Sequence, residues 1–350
     1  MTINSDSELD STPDERTTKQ RKNVRRALVA LAIIIVLLIT TAIGAGLWLR
    51  HKFSQIETFK DPFQEVSKIE GIQRPDNTTT ENKQPVNFLI LGTDSRISAG
   101  NPAQWKAGAQ RTDAIMIAQI DGSRSSINVL SIPRDAWVSI PGHGEAKINA
   151  AFSIGGLPLT IATVEQLTGI RIQHAAIMDF NSFVSLTDAV GGVELNSVTE
   201  GKKHYNGKQA LAFVRERKHL PGGDFDRVRR QQTWMKAVIS QTLTKETLSS
   251  PTKLLELFNS LSPYVAIDEN LNFTTLASLA AELRNLRSND VHFITAPHAG
   301  TGRSADGQSI VNLDRANFDE MVKAFAEDKA LMYIHQNAGK LKTLESTPVN

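Results

Sequence analysis

Residues 27–49, ALVALAIIIVLLITTAIGAGLWL, run 23 positions without a charged side chain, and this constrains the chain more than any other feature. As a helix rising about 1.5 Å per residue, a run of that length crosses the ~30 Å hydrocarbon layer of a bilayer. A cleavable signal peptide is the competing reading, and Gly44, Ala45 and Gly46 supply small residues near a possible cleavage point. Signal cores span about 7–15 apolar residues, so the longer run is read as an uncleaved anchor. Arg16, Lys19, Arg21, Lys22, Arg25 and Arg26 precede it, against Arg50, Lys52, Lys60 and Lys68 after it. That bias puts the N-terminus in the cytoplasm and everything beyond residue 50 outside it. Residues 1–26 carry few large apolar side chains and read as a disordered cytoplasmic tail.

The remainder is long enough for one sizeable domain. Hydrophobic residues make up 40% of the 350-residue chain, enough for a core. A net charge of +2 excludes a whole-chain polyelectrolyte role, so any basic function is local. With no cysteine, disulfides, thiolate catalysis and Cys-ligated zinc are excluded. Residues 50–84 are mixed and end in a polar run, which reads as a stalk or linker. Residues 85–335 read as the folded domain, and 336–350 as a loose tail.

Within that domain, apolar runs at 86–92, 114–120, 126–132, 137–140, 170–178, 193–195 and 291–295 have strand character, with Asp121-Gly122 as a hairpin turn. Helical spacing predicts helices at 147–152, 158–167, 180–190, 208–217, 226–248, 251–261, 272–287 and 314–328. Gly155-Gly156 ends the first of these, Gly169 closes the second, Asp179 caps the third, and a basic turn precedes the fourth. Strands alternating with helices define an α/β class: a single domain whose central β-sheet is flanked by helices, preceded by one transmembrane helix.

The chemistry gathers in RERKHLPGGDFDRVRRQQ at 215–232. Arg215 and Arg217, a Pro-Gly-Gly turn, and Arg227, Arg229 and Arg230 bring guanidinium forks towards one point. Such forks match phosphate oxygens bidentately, so the stretch reads as an anion clamp; a solvated basic helix start is the bland alternative. Asp94/Arg96, Arg111/Asp113 and Arg134/Asp135 each fall beside a strand end, where open α/β sheets place ligands. Carboxylates that hold a hard cation and arginines that neutralise remaining oxygens suit a pyrophosphate. Taken singly, Asp94 is equally a turn residue, and Asp113 could simply pair with Arg111. His143 and His174 lack metal-site spacing, no GxGxxG or P-loop occurs, and Ser131 is not in a GxSxG elbow. Aromatic residues do not interleave with the basic ones, which weakens a nucleic-acid reading.

Together, NFLILGTDSR at 87–96, RTDA at 111–114, VLSIPRD at 129–135, KINAAF at 147–152, VGGVE at 190–194 and the stretch 207–231 resemble the LytR-CpsA-Psr family in order and spacing. The wording of RTDAIMI and of the C-terminal FITAPHAGTGRSADGQSIV is most similar to actinobacterial members. The resemblance implies a bacterial, single-pass membrane enzyme that transfers a glycan from a polyprenyl-pyrophosphate carrier to a peptidoglycan sugar hydroxyl, assisted by Mg²⁺ or Mn²⁺. By motif it implies that Asp94 and Asp113 hold the metal. Arg111, Arg134, Arg215, Arg217, Asp224, Arg227 and Gln231 would line the pyrophosphate site, with Asp94, Arg111, Asp113, Arg134 and Arg217 carrying catalysis. Arg96, Arg229 and Arg230 are assigned to the rim or the fold. A polyprenyl-pyrophosphate phosphatase, with water as acceptor, and a non-catalytic binder of lipid-linked precursors are the alternatives.

Overall fold

The computed structural model describes residues 58–78, 83–93, 112–198, 201–216, 219–242, 244, 265–341, 343–344 and 349. The apolar run at 27–49, the tail before it and the helix expected at 251–261 lie outside them. No helix among the described residues is long and apolar enough to cross a membrane.

In chain order the strands are β1 (Thr58–Phe59), β2 (Val86–Thr93), β3 (Thr112–Ile120), β4 (Ile127–Ile132), β5 (Trp137–Ile140), β6 (Gly144–Lys147), β7 (His174–Asp179), β8 (Val193–Ser197), β9 (Gly201–Tyr205), β10 (Ala266–Asp268), β11 (Val291–Thr295), β12 (His298–Arg303) and β13 (Ser309–Leu313). The helices are α1 (Pro62–Val66), α2 (Ala150–Thr168), α3 (Phe180–Ala189), α4 (Gly207–Arg215), α5 (Asp224–Thr242), α6 (Phe273–Glu282), α7 (Arg315–Ala326) and α8 (Ala330–Gln336). A seven-stranded sheet in the order β1-β10-β7-β2-β3-β4-β11 forms the centre. Strands β7, β2, β4 and β11 run one way and β3 the other, so four C-termini and the start of β3 share one rim.

Both faces of the sheet are covered, which is why its strands read as continuous apolar runs. Leu89, Leu91, Ile115, Ile117, Leu130 and Ile132 enter one cluster with Ile161 of α2 and Phe318, Met321 and Phe325 of α7. On the opposite face, Met116, Val129 and Phe293 pack with Met235 and Ile239 of α5. The central sheet with flanking helices is therefore as expected.

Several local expectations need correcting. The segment 50–84 is not a plain stalk, because Phe59, Phe63 and Val66 lie in the main core. Phe59 lies in β1 and Phe63 and Val66 on the short helix α1, where Asp61 accepts from the Phe63 amide at 2.9 Å and Pro62 stands in the first turn. Nor is 336–350 wholly loose: Thr343 bridges Ile294, and the Leu344 amide donates to Phe293 at 3.2 Å. Lys147 ends β6 instead of opening a helix, which begins at Ala150. The helices expected on either side of Gly155-Gly156 run together as α2, kinked at those glycines; Gly156 has φ of 64°, open to glycine at little strain. The strand expected from 170 starts at His174, since Ile170 and Ile172 are buried in the connection before it. The basic turn after β8 is itself strand β9, paired back onto it. Helix α5 starts two residues earlier than expected, at Asp224.

Candidate functional site

The register between β2 and β3 determines where the first site residue points. Gly92 pairs with Ala114 and Thr93 with Thr112, so Asp113 is the extra residue of a β-bulge. A bulge re-aims its side chain out of the strand's alternation. Gly92 permits the close approach: a Cβ there would come 3.2 Å from the Ala114 Cβ.

Asp113 Oδ1 accepts from Nη1 of Arg134, which follows Pro133 just beyond β4. The Arg134 backbone is held by its own carbonyl, which accepts from the Asn149 amide at 3.2 Å. Around its side chain stand Asp135, 3.6 Å from Nε, and Asp224, 3.9 Å away at the start of α5. Lys147 from β6 reaches Asp135 at 3.2 Å. Arg227, one turn into α5, brings Nη2 to 2.6 Å from Asp224 Oδ1. Helix α5 is anchored by Gln232, whose Nε2 donates to Ser131 Oγ at 2.9 Å and to Ile294 O and Thr295 Oγ1 at 3.1 Å each. That tie fixes the α5 N-terminus over the rim of the sheet.

Electrostatics at this rim are unevenly balanced. Burial alone would lower the Arg134 guanidinium, but Asp113, Asp135 and Asp224 outweigh it and hold its pKa above the ordinary value. Arg227 goes the other way: burial lowers it, Asp224 offsets this only in part, and the like charge of Arg134 adds to the lowering. Both remain cationic at any ordinary pH. Arg227 is 5% exposed, yet its Nε lacks a hydrogen-bond partner among the described residues, as does Arg134 Nε. Buried donors are nearly always satisfied in folded proteins, and guanidinium donors gathered like this can bind a multi-oxygen anion.

Behind the rim lies a cavity of about 250 Å³. Ile90 and Met116 of the sheet, Phe183 of α3, Leu211 and Val214 of α4 and Trp234 of α5 give it apolar walls. Asp113, Arg134, Arg215, Arg227 and Gln231 line it as well, so the structure brings these sequence-derived candidates together. Arg215 stacks 4.3 Å above the Phe180 ring. Asp224 joins the group through Arg134 and Arg227. Asp94, Arg96, Arg111 and Arg217 lie outside the described residues, so the pairing of Asp113 seen here is with Arg134. Arg230 serves the fold, donating to Phe213 O at 3.0 Å with its guanidinium 4.0 Å above that ring. Arg229 stands 3.6 Å from Asp226 and does not line the cavity. Lys147 and Asp179 were missed as site residues. Lys147 lies inside the KINAAF motif, which was a usable signal; Asp179 was visible only as a helix cap.

The fold and site define a class: an α/β domain with an arginine- and acid-lined rim at the mouth of an apolar cavity. Residues 54–327 match the LytR_cpsA_psr family, and the chain belongs to it. It is 31% identical over 349 residues to the cell wall biosynthesis protein LcpA of Corynebacterium glutamicum, a match covering 85% of this chain and 65% of that one, just under two thirds of its length. It is 32% identical over 220 residues to the polyisoprenyl-teichoic acid–peptidoglycan teichoic acid transferase TagU of Bacillus mycoides, covering 59% of this chain and 69% of that protein. Among solved structures, Bacillus subtilis TagV superposes with a TM-score of 0.59 at 25% identity, over 71% of this chain and 98% of TagV.

Proposed function

We propose that this chain is a membrane-anchored phosphotransferase, moving a glycopolymer from a polyprenyl-pyrophosphate carrier to a peptidoglycan sugar hydroxyl through a new phosphodiester. The observation that carries the reading is the set of buried guanidinium N–H groups of Arg134 and Arg227 at the mouth of an apolar cavity. A pyrophosphate supplies the oxygens those donors call for, and an isoprenoid chain suits walls of Ile90, Met116, Phe183 and Trp234. The name of TagU, a transferase between a polyisoprenyl-linked polymer and peptidoglycan, supports the same assignment.

Phosphoryl transfer asks a protein for positioning and charge stabilisation more than for covalent chemistry. Arg134 and Arg227, with Arg215 and the motif residues Arg111 and Arg217, would neutralise the pyrophosphate and stabilise charge on the departing polyprenyl phosphate. Asp224 holds Arg134 and Arg227 together, and Gln231 offers a neutral polar contact at the cavity. The oxygen donors at the rim fit a hard cation. Asp113, with Asp94, would hold Mg²⁺ or Mn²⁺, supplying further charge neutralisation. No group of three acidic or histidine ligands forms among the described residues, so that assignment rests on Asp113 and the motif. An anchor at residues 27–49 would keep the extracytoplasmic rim near the bilayer surface, where a lipid carrier presents its pyrophosphate.

The test incubates the purified full chain with a polyprenyl-pyrophosphate-linked glycan, Mg²⁺ and peptidoglycan glycan chains. Polyprenyl phosphate release with glycan joined to the acceptor is expected. Release with water as the only acceptor would indicate a phosphatase, and tight lipid binding without turnover would leave a binding protein.

A further inference from the structure

A further carboxylate, Asp179, lines the same cavity and has an oxygen that no described residue engages. Asp179 ends β7 in register with Thr93 of β2, which pairs in turn with Thr112 beside Asp113. Strand β2 therefore separates the two acids, placing their backbones roughly 10 Å apart across two inter-strand spacings. Oδ1 of Asp179 accepts from the Ser182 amide at 2.7 Å and caps α3. The residue is only 5% exposed, and Oδ2 is buried without a hydrogen-bond partner among the described residues. Capping uses one oxygen; an unpaired buried oxygen is expensive and is rarely left in a fold without a purpose. Phe180, the next residue, carries Arg215 above its ring, and all three line the cavity. Asp179 thus lines the cavity alongside Arg134, Arg215 and Arg227.

We propose that Asp179 is a catalytic residue of the transferase, with Oδ2 accepting the proton of the acceptor sugar hydroxyl; the inference rests on the transferase reading above. In the step, the hydroxyl oxygen forms a bond to the phosphorus that bears the glycan. The bond from that phosphorus to the bridging pyrophosphate oxygen breaks, and that oxygen leaves with the electron pair as polyprenyl phosphate. The hydroxyl proton passes to Asp179 Oδ2 and from there to solvent. Asp179 and Asp113 stand on opposite sides of β2 and line the same cavity.

Capping and proton transfer can be separated, because Asn and Ser cap helices about as well as Asp but cannot take up the proton. The full chain and its Asp179→Asn and Asp179→Ser variants are assayed in detergent with a polyprenyl-pyrophosphate disaccharide as donor and peptidoglycan glycan as acceptor. The expected result is a fall of about 10²-fold or more in the kcat of transfer. The donor KM should stay within about twofold and the thermal midpoint should hold. Wild-type kcat in Asp179→Asn would overturn the proposal. So would losses confined to donor binding or thermal midpoint, which would reduce Asp179 to a cap. A wild-type chain that transfers nothing would remove the transferase reading and this inference with it, whereas active Asp179→Asn removes the inference alone.

Discussion

Two buried guanidinium–carboxylate clusters lie on this fold, one closed and one open. In the closed one, Arg74 Nε donates to Glu165 Oε2 at 2.9 Å and Nη2 to Oε1 at 2.6 Å, with Nη2 also reaching the Ile172 carbonyl. The Ile172 amide returns a bond to Glu165 Oε1 at 2.8 Å, and the Phe63 ring lies 4.7 Å below the guanidinium. At the rim, Arg134 and Arg227 also meet carboxylates, but Nε of each has no hydrogen-bond partner among the described residues. Both set arginines against carboxylates, a deeply buried glutamate in the first and more exposed aspartates at the rim. What differs is completeness: the closed cluster meets its donors within the fold, while the open one leaves donors unpaired among the described residues. Burial of an ion pair is thus no mark of function until its hydrogen bonds have been accounted for.

The contrast can be broken from either side. The larger effect belongs to the closed cluster: Glu165→Ala leaves Arg74 buried without its partner and should destabilise the domain by about 3–5 kcal/mol. Urea midpoints measure this, and turnover per folded molecule should be unchanged; a loss below about 1 kcal/mol would mean that the cluster is not structural. At the rim the pattern should reverse. Arg227→Lys keeps the charge but loses the planar fork, so polyprenyl phosphate release should fall by about 10²–10³-fold with little change in urea midpoint. If instead stability drops and turnover persists, Arg227 belongs with Arg74.

Much of this arrangement could be read in advance, because strands covered on both faces appear as apolar runs and the rim residues follow them directly. Arg227 and Arg230 were also separable by motif, and the structure turns Arg230 onto Phe213. Other features depend on partners distant in sequence. Asp113 protrudes because of its register against Gly92 and Thr93, which no local pattern encodes. Helix α1 is too short to announce itself by its period, yet Phe63 and Val66, with Phe59 of β1, enter the core. The β12–β13 hairpin opens with His298, Ala299, Gly300, Thr301 and Gly302, which show no apolar alternation, and its pairing to the rim runs through the Val311 amide to Asp135 O at 2.8 Å. Asp179 was legible as a cap, but a cap that also faces a cavity has the same sequence as one that does not.

The smallest effect sharpens the closed case at a carboxylate held by hydroxyls and amides. Burial on its own would raise the Asp121 carboxyl, but hydrogen bonds from the Ser125 and Ser123 hydroxyls and from the Ser126 and Ser125 amides outweigh it, holding the pKa below the ordinary value of 3.8. Between that depressed value and 3.8, the native state binds fewer protons than the unfolded chain, so stability rises with pH across the window. The contribution is complete above 3.8 and is lost as pH falls through the depressed value. Asp121→Asn removes the titrating group while keeping an oxygen that can accept from the Ser125 amide. The difference in urea midpoint between wild type and Asp121→Asn should therefore be largest near neutral pH and shrink on acidification. A difference that stays constant with pH would mean that the serine hydroxyls recognise the shape of the side chain and not its charge, and that closure in this fold does not depend on ionisation.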